Sequence, residues 1–405
     1  MTTLSSEASR GSFRLGMLVY DTRYRAYTFQ LIALVALIAF VGWLVSNAMN
    51  NPTLRELGIS FRFLGQPAGY DINQQPIPYN SQDTHLRASM VGLLNTLIVA
   101  VLGCVTATVL GVFAGVLRLS NNWLISKLMA VYVEAFRNVP VLIWIIIIFT
   151  VTTAVFPAPN AFRGDDPQAS MILGSFAFTN RGVYTPVPVM TTAGWIVVGV
   201  FLASVVAAFL WRANARRQLY ATGREVPVLW PVLAILVLPA LIAFFMLGRP
   251  ISLDYPALAG FNFRGGLQIQ TSLIGLWLAL AVYTGAFIAE NVRAGIQAVS
   301  RGQTEAAASL GLRPGRIMNL VILPQALRII IPPLISQYLN LTKNSSLAIA
   351  VGYMDLTGTL GGITLNQTGR ALECILLLML FYLTISLAIS AAMNAYNNAV
   401  RLKER

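Results

Sequence analysis

Eight stretches of this chain are long and apolar enough to cross a lipid bilayer, or nearly so, and that requirement limits everything else it can do. A hydrocarbon core about 30 Å thick takes roughly 20 apolar residues of helix. Residues 27–47, 90–117, 124–156, 190–211, 228–247, 272–292, 331–352 and 373–395 meet or approach that length. Lipid offers no partner to a free N–H or C=O, so each run must satisfy its own backbone, as a helix. The fold class expected is an all-α integral membrane protein with about eight transmembrane helices. Composition agrees, since 56% of the 405 residues are hydrophobic and only 11% are charged, against about 25% charged in soluble domains.

The net charge of +13 means less than the placement of the Lys and Arg residues. Following the alternation of spans, eighteen fall on the side of the N-terminus, including Arg10, Arg14, Arg25, Lys127, Arg216, Arg224, Arg313, Arg401 and Lys403. Eight fall on the other side, including Arg55, Arg181 and Arg370. This bias predicts that both termini are cytoplasmic, and an even number of spans requires them to share a side. The partner implied by the charge is membrane lipid, not nucleic acid. The first apolar run begins at residue 27 and reads as an uncleaved signal-anchor helix.

The spans are unevenly linked. Two external loops, 48–88 and 157–189, are rich in Pro, Gly and Asn, and the first carries the single histidine, His85. One histidine makes neither a metal site nor a His-based proton relay, so His85 is expected to be a solvated loop residue and no metal ligands are expected. Cys104 and Cys374 lie far apart in apolar runs and read as buried inert thiols. Residues 190–247 read as a helical hairpin around the basic turn "RANARRQLYATGRE". In the third span, Glu134 and Arg137 are spaced to pair on one face, and Pro140 should kink the helix by removing a donor.

The polar interruption at 303–335, "QTEAAASLGLRPGRIMNLVILPQALRIIIPPLI", is placed on the cytoplasmic side by the charge count. Thr304 and Glu305 suit a helix start, the alanines favour helix, and Gly311 should end it left-handed. Pro314 should open a second short helix and Pro324 should stop it. A two-turn helix is marginal alone. It must pack on something, either this protein's own bundle or a partner's groove, and its small alanine face allows close approach.

"EAAASLG" followed by "VILPQALRIIIPPL" resembles the EAA motif of permease subunits in ATP-binding-cassette importers. Glu305, Ala306, Ala307, Gly311, Leu323 and Pro324 match it residue by residue. "GLLNTL", "VEAFRNVPVL", "AFIAENVRAGIQAV" and "LTKNSSLAIAVG" extend the resemblance to the polar amino acid branch, and the layout is similar to the longer permease of general L-amino acid importers. The resemblance implies a five-helix type I core in 89–156 and 270–398, with a coupling loop at 300–326 docking into a separate ATPase. Outside that core stand a cytoplasmic segment 1–26, an added helix at 27–47, the hairpin at 190–247 and a cytoplasmic tail 399–405. It further implies a bacterial inner membrane location, two ATP-binding subunits, a second permease chain and a periplasmic substrate-binding protein.

No Gly-Lys-Ser/Thr phosphate loop exists, because Lys127, Lys343 and Lys403 follow Ser, Thr and Leu. ATP and Mg are therefore expected on the partner, with no cofactor and no catalytic residue on this chain. Lys343 lies near mid-membrane by the span assignment. A cation there costs at least about 2.5–3.5 kcal/mol, so it needs a polar partner or an aqueous cavity. Either it lines a substrate pathway with Asn344, Ser345 and Ser346 and meets an amino acid carboxylate, or helix-end carbonyls or Glu290 satisfy it. Asn95 and Thr96 are further pathway candidates, although such residues also bond between helices. Relatives specialised for basic amino acids often carry Asp where Asn344 stands, which implies broad or neutral-to-acidic selectivity here. An ion-coupled secondary transporter is the alternative, weakened by the lack of an internal repeat and of mid-span carboxylates.

Overall fold

The computed structural model describes residues 16–50, 58–164, 166–223 and 226–400. Arg10, Arg14, Arg55, Arg224, Arg401, Lys403 and Arg405, most of segment 1–26 and the 401–405 end of the tail lie outside the described residues. The chain divides into two units, Met1–Leu64 and Gly65–Arg405. The first holds α1 (Thr22–Asn50), whose apolar side chains, Leu34 and Phe40 among them, are exposed. That suits a helix surrounded by hydrocarbon.

The second unit is built on α2 (His85–Leu117) and α7 (Thr271–Gln297). At 1.5 Å per residue, α2 is about 50 Å long and overshoots the bilayer core. The two helices pack closely because α2 places small residues at the crossing. A Cβ on Gly111 would stand 2.6 Å from the Ile288 side chain, and one on Gly115 would stand 2.6 Å from the Ala289 carbonyl. Small residues one turn apart let helix backbones meet where lipid provides no hydrophobic push. Trp277 Nε1 donates to Thr106 Oγ1 at 3.0 Å across the same interface. Val99, Leu276, Leu280, Ile288 and Leu341 fill the buried core around it.

The third apolar run is broken, not kinked. α3 (Trp123–Asn138) and α4 (Val141–Val155) are separated by Val139 and Pro140, both in extended conformation. Proline pushes the preceding residue out of the helical region and has no N–H to give, so one continuous helix gives way to two. Only the α4 part qualifies as a span. Glu134 and Arg137 do not pair with each other. Arg118 takes Glu134 at 3.5 Å, and Arg137 reaches Glu290 at 4.0 Å.

Helices α5 (Thr192–Thr222) and α6 (Leu229–Met246) pack on each other as the expected hairpin. Its feet are not plain loops. Strands β1 (Ala177–Thr179), β2 (Gly182–Thr185), β3 (Val187–Met190), β4 (Ile251–Asp254), β5 (Ala257–Ala259), β6 (Asn262–Arg264) and β7 (Leu267–Gln270) form three small sheets. The β3–β4 pair joins the ends of the hairpin, and β2 pairs with β7, which runs directly into α7. The remaining α-helices longer than one turn, among the described residues, are α8 (Arg301–Ser309), α9 (Leu323–Asn344) and α10 (Ala371–Val400).

His85 is a correction to the solvated-loop expectation. It is the first residue of α2, capped by Thr84, and is buried with Nδ1 3.1 Å from Thr364 Oγ1. The loop before it folds inward too, with Ala68, Tyr70, Ile72 and Tyr79 packed on Ala88 and Val91. Apolar residues scattered through a polar loop carried that signal.

Candidate functional site

After α7 the chain starts α8 at Arg301, with Ser300 extended just before it. Thr304 therefore lies inside the helix and does not cap it. Gly311 closes the helix with φ +76°, its N–H donating to the Ala308 carbonyl at 2.9 Å. A Cβ on Gly311 would meet nothing within 4 Å, so the constraint is conformational, as expected for a left-handed end. Ala307 turns inward and is buried, whereas Glu305 and Ala306 face outward. Beside them Leu310 is 80% exposed. Glu305 has no ion-pair partner among the described residues. The result is a small projecting surface with an apolar tip.

Pro324 does not stop the helix that Pro314 opens. The turn Pro314–Ile317 runs into a π-helical turn, Met318–Ile322, and then into α9, with Pro324 in its first turn. A wider turn removes the clash between the proline ring and the carbonyl four residues back. The helix opened by Pro314 is thus continuous with α9, and α8, separated from it by the turn at Gly311, rests on the π turn. Leu323 is exposed and Pro324 half-buried at this joint.

At the far end of α9 lies a polar cavity of about 300 Å³. Gln337, Asn340 and Asn344 line it from α9, and Tyr283, Thr284 and Phe287 line it from α7. The three amides sit at helical spacing on one face, a pattern visible in "QYLNLTKN" that reasoning from Lys343 alone passed over. Lys343 is exposed beside this face and makes no ion pair among the described residues. Glu290 is occupied elsewhere. It bonds Arg118 and takes Arg293 at 2.5 Å, with Arg137 at 4.0 Å. The Arg137 guanidinium lies 5.4 Å from the Phe287 ring centre, so this ionic cluster adjoins the cavity wall.

The other sequence candidates divide. Asn344 lines the cavity. Ser345 is buried and donates to the Thr342 carbonyl at 2.6 Å, and Ser346 donates to the Lys343 carbonyl at 2.7 Å. Both hydroxyls close the last turn of α9. Asn95 and Thr96 are fully buried on α2. Asn95 Nδ2 donates to the Gln74 and Met354 carbonyls at 2.9 and 2.8 Å, and Thr96 Oγ1 accepts the Leu356 N–H at 3.0 Å. They fasten the segment that follows α9.

A bundle of membrane-crossing helices with an exposed helix resting on the start of a cavity-lining one defines a multi-pass membrane transport component. Residues 195–402 match the family described as binding-protein-dependent transport system inner membrane component, and the chain belongs to that family. It is 52% identical to the glutamate/glutamine/aspartate/asparagine transport system permease protein BztB of Rhodobacter capsulatus, across 99% of this chain and 100% of that one. It is 43% identical to the general L-amino acid transport system permease protein AapQ of Rhizobium johnstonii, across 97% and 96% of the two chains. Membership settles the choice between the two transport readings. It favours the binding-protein-dependent permease over the ion-coupled carrier.

Proposed function

We propose that this chain is the transmembrane permease subunit of an ATP-driven importer of polar L-amino acids, in the bacterial inner membrane with both termini cytoplasmic. A periplasmic binding protein delivers the substrate. Two ATP-binding subunits hold ATP and Mg and hydrolyse it outside this chain, and a second permease chain completes the pore. The observation that carries this reading is α8, which presents Glu305, Ala306 and an 80% exposed Leu310 to a partner while running through Gly311 and the π turn into α9. A push on α8 is thereby passed to the helix whose other end bears Lys343 and Asn344. Amide and hydroxyl groups in the cavity, with one ammonium beside it, suit the carboxylate and the uncharged or acidic side chain of an amino acid. The names of both relatives fit that chemistry.

The test is retrieval of the complex in mild detergent followed by Gly311→Val. The wild-type chain should bring down an ATPase. The variant, forced to place a β-branched residue at φ +76°, should insert normally yet lose uptake while the ATPase still turns over. Uptake at the wild-type rate would remove α8 from the coupling path.

A further inference from the structure

Beyond α9 the chain makes a 3₁₀ turn, Ser345–Val351, turns at Gly352, and reaches Asp355 before the π-helical segment Thr357–Thr364. Asp355 is 0% exposed. Its Oδ1 accepts the Gly358 N–H at 2.8 Å, and its Oδ2 accepts the Tyr382 hydroxyl of α10 at 3.2 Å. Tyr382 Oη is also 3.2 Å from Thr357 Oγ1. No cation pairs with it among the described residues. A buried carboxylate without a counter-ion is one of the more expensive groups a fold can keep, and an asparagine would fill the same space.

The neighbours explain what the carboxylate holds. Leu356 N–H donates to Thr96 at 3.0 Å, Tyr353 Oη donates to the Asn95 carbonyl at 3.3 Å, and Asn95 Nδ2 donates to the Met354 carbonyl at 2.8 Å. The Asp355 carbonyl lies so near Gly92 that a Cβ there would approach its oxygen to 2.8 Å. Residues 353–359 are thus pinned to α2 by amide, hydroxyl and main-chain groups, and to α10 through Tyr382, whose hydroxyl meets the Asp355 carboxylate and Thr357. We propose that Asp355 is a positioning residue for transport: its carboxylate clasps residues 353–359 to α10 and so sets where Lys343 and Asn344 stand at the cavity. This rests on the reading of those two residues as part of the substrate pathway.

The titratable groups facing the carboxylate are the phenols of Tyr353, on its own segment, and of Tyr382, on α10. The α2 residues against this segment, Gly92, Asn95 and Thr96, meet its main chain, and none of them titrates. Burial pushes the Asp355 carboxyl up to about 6, against the hydrogen bonds from Gly358, Thr357 and Tyr382 that pull it down. A free aspartate titrates near about 3.9. The closed clasp therefore binds the proton about a hundredfold more tightly than a hydrated carboxylate would. Its stability from this group is complete below about pH 4 and is lost as pH rises through about 6. Acid locks the clasp shut, while at neutral pH the ionised carboxylate is poised to hydrate and let the segment move with α9.

Import of labelled L-glutamine by the intact complex in proteoliposomes, with external pH varied from about 5 to 8, tests this. Glutamine keeps the same charge across that range, so the titration belongs to the protein. The wild type should lose import several-fold in acid with a midpoint near about 6. Asp355→Asn, permanently neutral, should import at the acid level at every pH. Tyr382→Phe removes a hydrogen bond that favours the ionised form and should move the midpoint upward. If Asp355→Asn fails to insert, the Tyr382→Phe midpoint decides. A wild-type profile in Asp355→Asn, or an unmoved midpoint in Tyr382→Phe, overturns the proposal. Lys343→Ala run alongside separates the two ideas: lost affinity there with an unchanged Asp355→Asn profile sinks the clasp and leaves the pathway reading standing. Unchanged affinity sinks the pathway reading instead.

Discussion

An exposed ammonium at the depth of a membrane span needs a reason, because even lenient insertion scales put its cost at about 2.5–3.5 kcal/mol. Lys343 has no ion-pair partner among the described residues and precedes Asn344, one of the three amides that line the cavity. A charge-assisted hydrogen bond is worth about 1.5–3 kcal/mol. Lys343→Ala is therefore expected to raise the half-saturating concentration for amino acid uptake roughly ten- to hundredfold, with membrane insertion unchanged. A constant half-saturating concentration would show that the ammonium does not meet substrate. Gly311 makes the complementary prediction. Because the space around it is open and only its φ of +76° is special, Gly311→Asn should keep most of the uptake that Gly311→Val loses, since asparagine tolerates the left-handed region. Equal loss in both, read by the same uptake assay, would mean that size and not conformation matters there. Lys343, Asn344 and Gly311 were legible in the sequence because an intramembrane charge and a glycine after alanines are local signals. Asp355 and His85 were not, because burial is a property of what packs around a residue.

Among the elements, the α2–α7 pair is the frame that everything else leans on. Its closeness depends on residues without side chains, so Gly111→Leu should force the helices apart and lower the yield of inserted, monodisperse protein. Recovery of the variant at wild-type levels would contradict that packing. At the basic end of the pair, Glu290 neutralises Arg118 and Arg293 and faces Arg137. Glu290→Gln leaves the half-buried Arg118 and Arg293 and the more exposed Arg137 without their shared anion. Removing one partner of a buried charge pair costs about 3–5 kcal/mol, and this site, partly open to solvent, should lose less. Thermal unfolding in detergent should show a lower transition for the variant, and an unchanged one would show that the arginines find other partners. The helices were legible from hydropathy alone. The break at Pro140, the π turn before Pro324 and the seven strands were not. A proline shows where a backbone donor is missing without showing whether the chain bends, breaks or widens around it. Strands of three or four residues carry too little alternation to read.

At the scale of the whole molecule, sequence and structure agree because a membrane allows few architectures: runs of apolar residues must be helices, and their flanking charges set their direction. What the chain does depends on a region that obeys neither rule, the projecting helix α8. On the function proposed, its exposed Ala306 and Leu310 are the surface offered to the ATPase, and its packing on the π turn ahead of α9 is the route by which motion passes inward. The measurement closest to this claim is a cross-link from Ala306→Cys, with Cys104 and Cys374 replaced by alanine, in the intact transporter purified from membranes. The account predicts a product joining this chain to the ATPase subunit, whose yield changes when nucleotide is added. Free labelling of that cysteine by a water-soluble maleimide in the assembled, transporting complex, with no cross-linked product, would contradict it.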